Sequence, residues 1–350
     1  MFKTQFLLEV LNEQVGGNLA RLKCLSNLIL GVIQCRSVNL THLASHQTTT
    51  AKHSSEYRKL QRFFEQWSIP QEAVAKIIFK KIPKPAAGYV LSMDRTNWQF
   101  GSTHINILTV GIVIHKVAIP IAWMTLPQVS KRGNSSYKHR ITVMQKVLTL
   151  IPACDIYALT MDREFHGVHW LNWLNKQEVS WVLRIKANTI IDHYYKASCI
   201  KSTISTKQDV WGLQLYFSSK RLRQEALYVV SNKLKNKEAL ATYKLRWGIE
   251  VLFGHLKKKG FNLEDTHLRD PDKIDKLIAI VSLSFLFTLG FGLLLKARDK
   301  ASALSKRKSH FRYGLDELRK ILSNPQTHHK QLKLFEQWVK ADSINLFFVV

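Results

Sequence analysis

The stretch YVLSMD at residues 89–94 is a short apolar run that ends on an acidic residue. The pattern occurs a second time in IYALTMD at residues 156–162. Runs of this length rich in β-branched and aromatic residues predict buried strands. Asp94 and Asp162 are therefore predicted to stand at the ends of two strands.

The elements around these strands follow a recognisable order. Three strands, the second and third antiparallel, precede a helix, a strand, a helix, a strand and a final helix. This is the order of a ribonuclease H-like α/β fold, in which the first and fourth strands are parallel neighbours. Asp94 and Asp162 should then meet at one edge of a mixed sheet, where open α/β sheets place their sites. The predicted elements are 89–93, 104–115, 117–126, 136–150, 156–161, 168–176, 179–185 and about 239–259.

The remaining chain predicts a division into three parts. Residues 1–82 read as amphipathic helices and predict an all-α domain. This domain is interpreted as either a helix-turn-helix DNA reader or a plain helical bundle. Residues 83–323 are assigned to the α/β core, which carries a β-rich insertion at 186–238. Residues 324–350 form a C-terminal tail segment.

Charge indicates the class of partner. The chain has 52 Lys plus Arg against 25 Asp plus Glu, a net charge of +27. Such a field favours a polyanion, because neutralised phosphates release counterions. An anionic membrane surface could use the same charge, and ribosomal proteins share it. Charge alone therefore favours nucleic acid without excluding these alternatives.

Compartment and membrane signals are few. The four cysteines form no C-x-x-C pair, which argues against a disulfide framework or a Cys-rich zinc site and fits a reducing compartment. The N-terminus does not resemble a signal peptide. Residues 277–295 are long and apolar enough for a membrane span. Because small and hydroxyl residues dilute this segment, we interpret it as a buried helix and expect no membrane association.

The last predicted helix carries a polar stripe. At about 100° per residue, Tyr243, Arg246, Glu250 and Lys257 share an arc of roughly 60° beside the apolar face. An exposed ladder of ion pairs and a set of functional side chains both fit this spacing. Spacing alone leaves the two readings open.

These four residues also follow the spacing Y-(2)-R-(3)-E-(6)-K, which resembles the signature of bacterial DDE transposases of the insertion-sequence-four family. LSMDRTNWQFG around Asp94 and TMDREF around Asp162 resemble the two acidic motifs of that family. KRGNSS at 131–136 resembles its Gly-Asn-Ser turn. The resemblance covers most of the chain and is weakest from 186 to 235 and beyond 325.

The resemblance implies a metal-dependent enzyme that cuts and joins DNA. In that case residues 1–82 are expected to recognise DNA ends and residues 83–323 to form the catalytic core. Asp94, Asp162 and Glu250 are the implied catalytic residues and ligands of two Mg²⁺ ions, for which Mn²⁺ can substitute. Carboxylates suit such hard cations, and two ions can activate the attacking oxygen and stabilise the leaving one. The implied partners are double-stranded DNA, as terminal inverted repeats and target, and a second copy of the chain when ends are paired. The implied location is the bacterial cytoplasm, at the nucleoid.

Other side chains are assigned to DNA. In family terms Tyr243, Arg246 and Lys257 contact phosphates near the cut end. Arg95 and Arg163 are predicted to contact phosphate or to orient carboxylates, with simple ion pairing as the alternative. Three tryptophans are predicted to stack on an unpaired base, or else to belong to the core or rim. They are Trp98, Trp211 and Trp247.

Two other functions fit the same residues. One is a metal-dependent nuclease of the same fold that hydrolyses DNA without strand transfer. The other is a catalytically silent DNA-binding regulator derived from a transposase. The intact acidic triad argues against the silent regulator.

Overall fold

The computed structural model describes residues 5–46, 51–127, 135–192, 195–199, 204–222, 225–298 and 307–341. The helices described are α1 Gln5–Gln14, α2 Leu19–Cys35, α3 Leu40–Ser45, α4 His53–Gln66, α5 Gln71–Lys81, α6 Tyr137–Leu148, α7 Val168–Lys176, α8 Asn236–Lys244, α9 Trp247–Leu256, α10 Pro271–Arg298, α11 His310–Ser323 and α12 His329–Lys340. The strands are β1 Tyr89–Phe100, β2 Thr103–Ile114, β3 Val117–Thr125, β4 Ile156–Met161, β5 Trp181–Ile185, β6 Ile190–Asp192, β7 Tyr195–Lys196, β8 Ile204–Val210, β9 Leu213–Arg221 and β10 Ala226–Ser231.

The chain divides into two compact units. The helical unit comprises Met1–Pro83, Trp98–Ile105 and Phe253–Val350, and the sheet unit comprises Lys84–Asn97 and Asn106–Leu252. This division differs from the predicted ranges, because residues after 253 group with the N-terminal helices. The assignment of 1–82 to end recognition and of 83–323 to catalysis stays a prediction.

The apolar helix α10 forms the centre of the helical unit. Every residue of its most apolar window is buried inside the protein, although its length and composition would allow it to cross a membrane. Three hydroxyl groups inside it are paired, because each donates to the carbonyl four residues earlier: Ser282, Ser284 and Thr288, at 2.7, 2.9 and 2.7 Å. The prediction of a buried helix is confirmed.

Helices from both ends of the sequence pack around α10. Helix α2 contacts α10 and α11, and α1 contacts α12. Glycine is required where α10 meets α11, since a Cβ on Gly292 or Gly314 would collide with a backbone carbonyl of the other helix. The buried Lys81 ammonium donates to the carbonyls of Trp338 (3.1 Å) and Val339 (2.8 Å) at the end of α12. Part of the predicted tail is thus an ordered helix of this unit.

An eight-stranded mixed sheet has the order β3-β2-β1-β4-β5-β10-β9-β8. Strands β1 and β4 are parallel, as are β4 and β5, whereas β2 pairs with β3 in antiparallel fashion. The predicted parallel pairing of the first and fourth strands is confirmed. The described part of the predicted insertion 186–238 contains the strands β6 to β10. Its strands β8 to β10 extend the main sheet beyond β5, so they are not a separate layer.

Two predicted boundaries are wrong. Strand β1 does not end at Asp94 but continues to Phe100. The helix predicted from 239 to 259 is two helices, because the chain turns at residues 245–246 between α8 and α9. Backbone hydrogen bonds there join residues three apart, including Arg246 N to Tyr243 O at 3.0 Å. This tighter turn replaces one stretch of α-helix.

Candidate active site

The two aspartates follow paired positions of neighbouring parallel strands. Met93 on β1 pairs with Met161 on β4, and each is followed by an aspartate. Beyond Met161 the chain leaves the sheet in a 3₁₀ turn, Arg163–Phe165, while β1 continues. Asp94 therefore lies where β1 loses its parallel partner, and Asp162 begins the turn beside it.

Arg246 joins Asp94 to Glu250. Its Nη1 lies 3.0 Å from Asp94 Oδ2 and its Nη2 lies 3.2 Å from Glu250 Oε1. The Arg246 side chain is 8% exposed and that of Asp94 15%, whereas that of Glu250 is 42% exposed. The arginine is thus not part of an exposed ladder, and the reading of this stripe as solvent-facing ion pairs fails for Arg246.

The pKa of Asp94 depends on burial and on the charges of the groups around it. Burial raises the pKa of Asp94 from 3.8 to about 7. The backbone N–H of Arg95, at 2.7 Å from Oδ1, and the Arg246 guanidinium lower it, while the charges of Glu250 and Asp162 raise it further. A buried carboxylate beside two others disfavours its charged form, and a cation at this place relieves that cost.

Tyr243 connects the same cluster to Asp162. Its hydroxyl donates to Asp162 Oδ1 at 3.3 Å, and Arg246 lies over its ring at 5.9 Å. Burial raises the pKa of Tyr243 to about 12, and the charge of Asp162 contributes in the same direction. The hydroxyl therefore keeps its proton at neutral pH. The structure brings Tyr243, Arg246, Asp162 and Asp94 into one hydrogen-bonded group that includes Glu250.

A glycine allows α9 to approach the sheet. A Cβ on Gly248 would lie 3.0 Å from Val113 and 3.2 Å from the backbone of Ala118, at the β2–β3 turn. Ile249 and Leu252 are fully buried beside it. The turn at 245–246 and this close approach together orient Arg246 toward Asp94.

The donor set fits a hard divalent cation in its chemistry. As they stand, however, the three carboxylates do not form a closed ligand set: among the described residues, no three Asp, Glu, His or Cys side chains are close enough together to hold a metal ion. The Arg246 guanidinium lies between two of them and supplies the positive charge. Oxygen ligands and the raised pKa of Asp94 are the features that fit Mg²⁺ or Mn²⁺.

Of the two arginines that follow the aspartates, Arg95 forms an ion pair and Arg163 is exposed. Arg95 makes a two-pronged ion pair with Glu164, at 2.9 Å from Nε to Oε1 and 3.2 Å from Nη2 to Oε2. Arg163 is exposed and lines a cavity of about 330 Å³ together with Arg184 and Lys186. The ion-pair alternative thus describes Arg95 in this structure.

Lys257 lies in the helical unit, whereas the other three members of the polar stripe lie in the sheet unit. Its ammonium is 2.9 Å from Glu264 Oε1. The prediction that the four side chains share one arc assumed a single uninterrupted helix. The turn at 245–246 shows that this assumption is wrong. A contact of Lys257 with DNA phosphate stays a prediction.

The three tryptophans have different surroundings. Trp98 is buried. Trp211 donates from Nε1 to the Ile190 carbonyl at 2.8 Å, and its ring meets the His166 ring edge-on at 4.4 Å. Trp247, the first residue of α9, is 63% exposed. Only Trp247 among the three therefore presents a largely open ring.

Arg140, which was not predicted as a site residue, is buried on α6 and contacts the segment after Asp162. A signal existed, because Arg140 occupies the apolar stripe that continues with Val143, Met144 and Val147. Of the family-like stretch 131–136, residues 131–134 lie outside the described residues. Ser136 caps α6 and exchanges hydrogen bonds with His139, both at 3.3 Å.

One family model and one solved structure resemble this chain. Residues 126–287 match the family model described as transposase DDE domain. The match includes Asp162 and Glu250 and begins after Asp94, and it supports a transposase of the DDE type. Among solved structures, the chain resembles a piggyBac transposase in a synaptic complex with hairpin DNA, determined by cryo-EM, with 12% identity and a TM-score of 0.42 over 89% of this chain and 76% of that one. No curated protein matches the chain.

Proposed function

We propose that the chain is a cut-and-paste transposase of the insertion-sequence-four type, which cleaves DNA at terminal inverted repeats and joins the ends to target DNA. A ribonuclease H-like core is part of the proposal. The adjacent parallel strands β1 and β4, with antiparallel β2 and β3 beyond β1, support that core. The family match and the charge of +27 support DNA as the substrate.

One observation carries the proposal: three acidic side chains from separate elements converge on one arginine-and-tyrosine group. Arg246 contacts Asp94 and Glu250, and Tyr243 contacts Asp162. A fold needs no such costly cluster for stability, since burial alone opposes the charge of Asp94. Buried acids with strongly raised pKa values are typical of functional sites.

In the proposed reaction the carboxylates of Asp94, Asp162 and Glu250 would hold two divalent ions, Mg²⁺ with Mn²⁺ as a substitute. Such ions would activate the attacking oxygen and stabilise the leaving oxygen of a phosphodiester. Tyr243 keeps its hydroxyl proton and orients Asp162.

Four of the other predicted residues contact DNA in this proposal. Arg246 turns its guanidinium from the carboxylates to an end phosphate, for which its planar fork is suited. Lys257 and Arg163 contact further phosphates, and Trp247 stacks on an unpaired base. Residues 1–82 recognise the terminal repeats. Two copies of the chain pair two ends, in the bacterial cytoplasm at the nucleoid.

The test uses DNA that flanks the coding region. The purified protein with Mg²⁺ should cleave the outer ends of that DNA and join them to a target plasmid. Asp94→Asn, Asp162→Asn and Glu250→Gln should each bind the ends and fail to cleave. Cleavage without joining would favour the nuclease, and end binding without cleavage by the wild type would favour the regulator. Full cleavage by Asp94→Asn would remove Asp94 from the active centre.

A further inference from the structure

Glu164 stands two residues after Asp162 and is held from two sides. Its carboxylate accepts both prongs of Arg95, at 2.9 and 3.2 Å, and its backbone carbonyl accepts from Arg140 Nη2 at 3.0 Å. We name Arg95, Arg140 and Glu164 the Glu164 network. Arg95 directly follows Asp94, and Arg140 and Glu164 are joined at the turn that follows Asp162.

On the β1 side, the network reaches Asp94 through Arg95. The backbone N–H of Arg95 donates to Asp94 Oδ1 at 2.7 Å, while its guanidinium is bound to Glu164. The same residue thus fixes one oxygen of Asp94 and the turn that follows Asp162. Because both contacts use Arg95, the two aspartate segments are tied directly to each other.

On the α6 side, the buried side chain of Arg140 contacts the turn that follows Asp162. Besides the Glu164 carbonyl, its guanidinium binds the His166 carbonyl (3.3 Å), the Ser135 carbonyl (2.7 Å) and the Ser135 hydroxyl (3.0 Å). Its guanidinium lies over the Phe165 ring at 5.1 Å. Burial lowers the pKa of Arg140 to about 10, so it remains a cation at neutral pH.

The turn that Arg140 holds begins at Asp162. The Phe165 N–H donates to the Asp162 carbonyl at 2.9 Å, which closes the turn Arg163–Phe165. Arg140 binds the carbonyls of Glu164 and His166 on either side of Phe165. The direction in which the Asp162 side chain leaves β4 therefore depends on groups that Arg140 fixes.

We infer that Arg140 and Glu164 are positioning residues, which set the separation and orientation of Asp94 and Asp162 for divalent-cation binding. Arg95 acts in this network through Glu164 and does not contact DNA phosphate. The inference rests on the proposed function, because it concerns the same acidic site. Groups that orient metal ligands commonly change metal affinity or activity 10- to 100-fold when removed.

The experiment compares Glu164→Gln, Arg140→Gln and Arg95→Gln with a matched control, Asp155→Asn. Asp155 precedes β4, as Asp162 follows it, and pairs with Lys84 at 2.8 Å. The control thus removes a paired carboxylate from the opposite end of the same strand. Three quantities are measured on the full chain: Mn²⁺ affinity by electron paramagnetic resonance, end affinity without divalent ions, and cleavage rate.

The three variants of the Glu164 network should lose Mn²⁺ affinity and cleavage rate by 10- to 100-fold and keep end affinity within about twofold. Asp155→Asn should match the wild type in all three. The double variant Arg95→Gln/Glu164→Gln should lose no more than either single variant, since the pair acts as one unit. If Arg140→Gln lowers the melting temperature, Glu164→Gln tests the inference in its place, because the Glu164 side chain is partly exposed.

Two results would overturn the inference. One is a folded Glu164→Gln protein with wild-type Mn²⁺ affinity and cleavage. The other is a loss of end affinity in Arg95→Gln that Glu164→Gln does not share, which would make Arg95 a phosphate contact. Failure of the proposed function looks different: the wild type would then not cleave end DNA, or its cleavage would survive Asp162→Asn.

Discussion

Replacing Asp94 with asparagine should stabilise the protein at pH 8 without divalent ions, while it abolishes cleavage. Burial raises the pKa of Asp94 to about 7, and the charges of Glu250 and Asp162 add to that rise against the backbone N–H of Arg95 and the charge of Arg246. Asparagine has nearly the same size and carries no charge. It therefore avoids both the burial of a charge and the repulsion from two carboxylates.

The magnitude follows from proton linkage. The folded pKa of Asp94, about 7, lies above the ordinary 3.8, so the folded state binds this proton more tightly. The contribution of Asp94 to the free energy of unfolding is fully present below about pH 4 and decreases as the pH rises to about 7. Above that pH it no longer changes. The difference corresponds to about 4 kcal/mol. The pKa of about 7 already includes the attraction of Arg246, so asparagine should gain up to about 4 kcal/mol at pH 8.

The assay is thermal unfolding of the wild type, Asp94→Asn and the control Asp155→Asn at pH 5 and pH 8. At about 2 °C per kcal/mol, Asp94→Asn should melt several degrees higher at pH 8 and gain less at pH 5. Saturating Mg²⁺, at about 100 times its dissociation constant, should stabilise the wild type by about 2.7 kcal/mol and the variant by less. The prediction is wrong if Asp94→Asn is less stable than the wild type at pH 8, or if its gain in melting temperature is the same at both pH values.

Three further predictions concern Arg246, Trp247 and the helical unit. Arg246→Ala should destabilise the protein by about 3–5 kcal/mol at pH 8 and less at pH 6, where Asp94 takes up a proton, and chemical denaturation at both pH values measures this. Trp247→Ala should leave stability within about 0.5 kcal/mol and weaken binding to ends with an unpaired base by about 1–3 kcal/mol, whereas the exposed control Leu222→Ala should change neither quantity in titrations. A fragment ending at residue 82 should lack cooperative unfolding by circular dichroism, because α2 packs on α10 and α11; a sharp transition would contradict this packing argument.

The strand pairing that positions the aspartates could be predicted because the signal is local. Each of the two runs is apolar, short and ends on an acid, and sequence order then restricts which strands are neighbours. The Asp94 boundary was wrong because β1 continues to Phe100, beyond its pairing with β4. No local pattern reports where a partner strand ends, so the length of β1 required the structure.

The helix carrying Glu250 was only half predictable. Arg246 and Glu250 are four residues apart, and that spacing brings them together in the structure as on the helical projection. The turn at 245–246 and the approach of Gly248 to the β2–β3 turn depend on distant residues. The projection therefore could not show that Arg246 is buried against Asp94, nor that Lys257 pairs with Glu264.

Arg246 stabilises the acidic site in the absence of a divalent ion. Without a divalent ion, the three neighbouring carboxylates repel one another. The buried guanidinium of Arg246 reduces this repulsion, because it contacts Asp94 and Glu250. Burial opposes the charge of Arg246, but Tyr243, Asp94, Asp162 and Glu250 together raise its pKa. A divalent ion at the carboxylates would replace this guanidinium and free it for phosphate. Under the proposed function, cation binding and DNA binding are therefore coupled through one side chain, and each should strengthen the other by the same factor.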